Sequence, residues 1–109
     1  MAALSTTVTP LDGATVTYTA AAGGGDTCVT GAGVLLLVKN GDSEAHTVTL
    51  VTPGTHNGLP IGDRAIEVAA GEDVAIPVGA DYRDSSTGRA SITYDGVTSV
   101  TVAVVRVPV

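Results

Sequence analysis

Phenylalanine and tryptophan are absent from this chain of 109 residues, and only three tyrosines supply its aromatic content. A core must therefore be filled by aliphatic side chains, and few flat rings remain to stack on bases or sugar faces. Cysteine occurs once, as Cys28, which excludes an internal disulfide and suits assembly in a reducing compartment. Cys28 is expected to be a small buried apolar residue, since a nucleophile would need a nearby histidine and an orienting group that the sequence does not nominate. Positive charge is equally scarce. The five basic residues Lys39, Arg64, Arg83, Arg89 and Arg106 are scattered along the chain against eleven acids, for a formal charge of -6. Polyanions are repelled by such a balance, so no nucleic-acid partner is expected. No apolar run approaches the roughly 18 residues of a membrane helix, and no membrane partner is expected. The segment from Met1 to Thr7 lacks the basic start and apolar run of a secretory signal, so the expectation is a protein made soluble that stays where it is made unless an assembly carries it out.

What is present is valine and threonine. Hydrophobic residues make up 44% and charged residues 15% of the chain, a balance that suits a folded globule, and the length fits one domain. Both dominant residue types are β-branched and favour pleated sheets. The chain divides into short β-forming segments closed by turn signals. Ala14 to Thr19 alternates and reads as a first strand, followed by a flexible stretch from Ala20 to Asp26 that contains Gly23, Gly24 and Gly25. Val34 to Val38 is apolar on both pleat faces, which predicts either a central strand covered on both sides or one that meets a partner subunit. After Lys39-Asn40-Gly41-Asp42, the segment from His46 to Thr52 alternates and reads as the second arm of a hairpin. Pro53-Gly54 and Asn57-Gly58-Leu59-Pro60 mark a long irregular connection. Strands resume from Arg64 to Val68 and, after the tight turn Ala69 to Glu72, at Val74, Ile76 and Val78. Asp81 to Gly88 is polar and loop-like. Ile92 and Tyr94 then lead into Asp95-Gly96, a hairpin signal, and a last strand from Val97 to Val107. The reading is an all-β, single-domain β-sandwich, immunoglobulin-like or jelly-roll, of about seven strands at 14–109, preceded by an N-terminal arm at 1–13.

The residues that carry chemistry in other proteins fall into no working pattern. His46 and His56 stand ten residues apart with no zinc-like cysteine spacing, so solvated or hydrogen-bonded histidines are expected. No Gly-x-Ser-x-Gly elbow accompanies the serines. Asp42 with Glu44, and Asp81 with Asp84, are close enough in sequence to suggest a calcium ligand set, yet neither has EF-hand spacing, and turn-forming aspartates are the expected role. Gly23 to Gly25 lacks the Gly-Lys-Ser/Thr that follows a phosphate cradle. No enzyme activity, cofactor or metal is expected. The chain ends carry β-formers, from Ala2 to Leu11 and from Val104 to Val109, and such segments either complete their own sheet or pair with another chain.

The order of several short pieces resembles a family of small head decoration, cement or minor capsid proteins of tailed phages that infect actinobacteria. These pieces are Val38-Lys39-Asn40-Gly41, His46-Thr47-Val48-Thr49 with Thr52-Pro53, Gly58-Leu59, Asp63-Arg64 and Ala70-Gly71-Glu72. They continue through Tyr82-Arg83-Asp84, Gly88-Arg89, Ile92-Thr93-Tyr94, Val97-Thr98 and Val100-Thr101-Val102-Ala103-Val104. The resemblance implies a β-sandwich on the capsid exterior, in trimers, with the major capsid protein as partner and with no catalytic residues. The N-terminal arm and the loops at 53–63 and 81–88 are the expected contact regions, with Leu4, Val8, Leu11, Leu59, Tyr82 and Arg83 as interface residues. Two other functions compete with it. A phage tail or head-tail connector component would exist in few copies per virion. An immunoglobulin-like carbohydrate- or cell-surface-binding module would want more aromatic residues than this chain has.

Overall fold

The structure is a computed structural model that describes residues 2–4, 6–8, 16–53, 55–60, 63–85 and 87–107. Thirteen strands are present among the described residues: β1 (Ala2–Ala3), β2 (Thr6–Val8), β3 (Thr19–Ala20), β4 (Asp26–Cys28), β5 (Val34–Asn40), β6 (His46–Leu50), β7 (Thr55–His56), β8 (Leu59–Pro60), β9 (Arg64–Val68), β10 (Asp73–Pro77), β11 (Arg83–Asp84), β12 (Arg89–Tyr94) and β13 (Val100–Arg106). A single 3-10 turn, Ala80–Tyr82, interrupts them. The all-β sandwich is as the composition predicts. One sheet has the order β1-β4-β12-β6-β9, with β11 added on β12; the other has the order β10-β5-β13-β2, with β3 added on β13. The expected seven strands understate the number because five of the thirteen have only two residues, too short to leave a periodic signature.

Period-2 alternation builds the core. Leu36 and Val38 of β5 lie opposite Val104 and Val102 of β13 and, with Val34 and Val100, are buried, while Val48 and Leu50 of β6 share the facing layer with Ile92. Val34 to Val38 is indeed central, between β10 and β13. Its outward residues Leu35 and Leu37 are half-buried. The last strand pairs within its own chain, with β5 on one side and with β2 and β3 on the other, which answers the question its sequence left open.

Three expectations are corrected. The predicted hairpins at Asn40-Gly41 and Asp95-Gly96 are arches: β5 and β13 belong to one sheet, β6 and β12 to the other. Each link carries the chain across the sandwich, a distance of roughly 10 Å, which a two-residue hairpin turn does not span. The strand expected from Ala14 to Thr19 is confined, among the described residues, to Thr19–Ala20, and Asp26–Cys28 forms a strand where a flexible stretch was expected. The N-terminal segment is no free arm where it is described. Ala2 and Ala3 pair in parallel with β4, and Thr6 to Val8 pair in parallel with β13, so β1 joins one sheet and β2 the other.

The connections sort onto two ends. The registers place Asn40, His46, Val68, Asp73, Tyr94 and Val100 toward one end, joined by the short links 41–45, 69–72 and 95–99. The opposite end carries the close of β2, β10 and β13 and the long connections 51–63 and 78–88. These are called the turn end and the loop end below.

Candidate docking surface

At the loop end, three large apolar side chains stand in water: Val8 at 62%, Leu59 at 69% and Val107 at 40% exposure. They are the exposed large hydrophobics among the described residues, and the fold brings all three to one end from positions far apart in sequence. Val8 is opposite Arg106 in register, Val107 follows Arg106, and Leu59 lies in the small β7-β8 hairpin within the connection 51–63. Val107 is fixed where it is by its N–H, which donates to the Gly33 carbonyl at 2.8 Å. Gly33 itself has φ of +79°, and a Cβ there would collide with the Val107 carbonyl oxygen, so this junction requires glycine.

Charge is sorted the same way. The arginines that look scattered in sequence gather at the loop end: Arg64 opens β9, Arg83 opens β11, Arg89 opens β12 and Arg106 closes β13. Arg64, Arg83 and Arg106 are exposed. Arg89 has an internal duty, because its guanidinium donates to the Leu4 carbonyl at 2.8 Å and to the Thr27 hydroxyl and carbonyl at 3.1 and 3.2 Å. It holds the N-terminal strands to β4. Asp42, Glu44, Glu72, Asp73 and Asp95 lie toward the turn end with Lys39, while Asp63, Asp81 and Asp84 accompany the arginines at the loop end, so the excess of acid falls at the turn end.

The six predicted interface residues separate accordingly. Val8, Leu59 and Arg83 are exposed at the loop end. Tyr82 belongs to the same end but is half-buried and packs on the core. Leu4 is only 9% exposed and is itself a core residue, so its apolar side chain is occupied within its own chain. Leu11 lies outside the described residues. Sequence reasoning missed Val107, Arg64 and Arg106 as a set, because only the strand register shows that they end together.

Elsewhere the polar residues are engaged in holding the fold. Asn40 is buried; its amide donates to the Glu44 carbonyl at 2.9 Å and the Val68 carbonyl at 3.0 Å, and its Oδ1 accepts from the Asp42 N–H at 3.0 Å. It therefore pins the links 41–45 and 69–72 together. Asp42 also accepts from the Ser43 N–H, as a turn aspartate does, and its other oxygen meets the His46 ring. Asp26 is buried and accepts from the Tyr94 hydroxyl at 2.6 Å and the Ala22 N–H at 3.2 Å. Burial, then the bond to Asp26, raises the Tyr94 pKa and keeps its hydroxyl protonated. Burial pushes the Cys28 thiol up to about 11, against the partial opposition of Arg89, so the thiol is inert at neutral pH, as its solitary position suggests. A cavity of about 460 Å³ lies between the N-terminal strands and β13, but among the described residues Asp26 is the only ionisable one in its lining. Convergent acids and bases are thus missing from that lining, and no set of three or more metal-binding side chains is assembled among the described residues. No described helix is long and apolar enough to cross a membrane.

Searches against protein-family models, curated proteins and solved structures return no match to this chain.

Proposed function

We propose that this protein is a structural component of a phage virion, a decoration or cement protein that docks its loop end on the outside of the head. The observation that carries the reading is that the exposed Val8, Leu59 and Val107 and three exposed arginines all belong to the loop end of the sandwich. Exposed apolar side chains accompanied by cations at one end fit a partner surface with apolar pits and acidic groups, and in this reading the partner is the major capsid protein. A few exposed side chains give a weak single contact. Repetition over a capsid lattice, in oligomers such as the trimers that the resemblance implies, sums such contacts into stable cover. The function requires no catalysis, no cofactor and no nucleic acid, and it places the protein on the capsid exterior after assembly in the host cytoplasm.

The test is co-sedimentation with purified heads that lack the protein. Wild type is expected to saturate the particles in hundreds of copies and to bind more weakly as salt rises. Leu59→Asp and Arg83→Glu should each reduce binding at least tenfold while leaving thermal stability nearly unchanged. Saturation at six or twelve copies would point instead to a connector ring, and undiminished binding by both variants would remove the loop end from the account.

A further inference from the structure

At the turn end, His46 sits between two carboxylates from links that are far apart in sequence. Its Nε2 is 2.8 Å from Asp42 Oδ2, in the link between β5 and β6, and its Nδ1 is 3.2 Å from Asp95 Oδ1, in the link between β12 and β13. The ring is largely covered, with 12% of the side chain exposed. Gly96 leaves room for it, since a Cβ at that position would lie 3.1 Å from ring atoms Cε1 and Nδ1.

An ionised carboxylate only accepts hydrogen bonds. A neutral imidazole has one N–H, so it satisfies one of these two partners and turns a lone pair toward the other; an imidazolium donates to both. The geometry is therefore that of the doubly protonated ring. We propose that His46 is a proton-operated latch, which holds Asp42 and Asp95 together while the ring is charged and loosens the junction of the links 41–45 and 95–99 when it loses a proton, leaving them joined by the Gly41 N–H to Ser99 carbonyl bond at 2.9 Å.

The charged groups that face the ring are Asp42 and Asp95, while β9 offers only Val68 at the paired position. The hydrogen bond that His46 donates to Asp42, followed by the contacts with Asp95, raises the His46 pKa above its ordinary 6.5 despite partial desolvation. Asp42 is held below the usual carboxylate value chiefly by His46 and by the Ser43 N–H. For Asp95, desolvation acts upward but is outweighed by the backbone at Thr47 and by His46, and its pKa is lowered. The histidine contribution is thus fully present below pH 6.5 and is lost as pH rises through the raised value. The carboxylate contribution is present above pH 3.8 and is lost as pH falls through the lowered values. The latch is closed between those limits.

The experiment follows the two histidine rings of the full chain by NMR from pH 4 to 9, together with amide exchange corrected for its intrinsic pH dependence. His46 is expected to titrate above 6.5, and Asp95→Asn and Asp42→Asn to move its midpoint downward. Exchange at the Asp95 amide, which donates to the Thr47 carbonyl at 3.1 Å, should quicken several-fold above the wild-type midpoint, and this step should vanish in His46→Gln. If a carboxylate variant fails to fold, the wild-type titration and the His46→Gln exchange profile still decide. A His46 midpoint at or below 6.5, or corrected exchange that is flat across the range, would overturn the latch. Neither readout involves a capsid, so the latch and the docking reading stand or fall separately.

Discussion

The two ends of this sandwich are built from the same valine- and threonine-rich strands, yet they close in opposite ways. At the turn end the links are short and their polar side chains look inward: Asn40 binds two carbonyls across the gap, and His46 joins two separate links. At the loop end the connections are long, the large apolar side chains of Val8, Leu59 and Val107 face water, and three arginines are exposed. An end whose hydrogen bonds are spent on itself has little left to offer a partner. Groups left exposed at the other end cost little in stability and are free to bind. The edge strands follow the same division of labour. On β10 the Val78 N–H donates to the Val34 carbonyl, so by alternation Pro77 points its absent donor outward, and this edge resists pairing with another chain.

Substitutions can break this contrast at several levels. The largest effect is expected from Leu36→Ala, which empties the fully buried centre of β5 and should cost about 3–5 kcal/mol, read as a fall in the midpoint of urea unfolding. Both ends should be affected alike, because the core serves both. Asn40→Ala should come next, at about 1–3 kcal/mol by the same measurement, since it strands carbonyls that are paired only at the turn end. Its capsid binding should stay within twofold of wild type once the protein is folded. Paired substitutions at the loop end, Leu59→Asp with Arg83→Glu, should do the reverse: stability within about 0.5 kcal/mol of wild type and binding lowered more than tenfold. Glu72→Lys, a charge reversal at the turn end, is expected to change stability by less than about 0.5 kcal/mol and binding hardly at all. Finally, Cys28 should resist a thiol reagent in the native protein and react at the rate of unfolding, because the side chain is fully buried and its pKa is about 11.

The fold class was legible because β-branched alternation is a local signal: Val34 to Val38, His46 to Leu50 and Val100 to Arg106 can be read from neighbours alone. Partner choice was not. Asn40-Gly41 and Asp95-Gly96 have the composition of hairpin turns, and nothing within a few residues tells that the chain crosses to the other sheet there. The same limit hides the sites. His46 and Asp42 are four residues apart, but Asp95 is 49 residues away, and only the pairing of β12 with β6 brings it to the ring. Val8 was named as a contact residue for its place in the N-terminal arm, and Leu59 and Arg83 for theirs in loop-like segments; all three are exposed. Leu4 was misread as a contact residue because a short apolar N-terminal segment looks the same whether it docks on a partner or, as here, completes its own core.

The orientation of the protein on a particle tests the docking account most directly. Imaging decorated heads by electron microscopy should show each sandwich with the connections 51–63 and 78–88 against the shell and the links 41–45, 69–72 and 95–99 pointing into solvent. Density with the turn end against the shell, or particles that carry no copy of this chain on their surface, would contradict it.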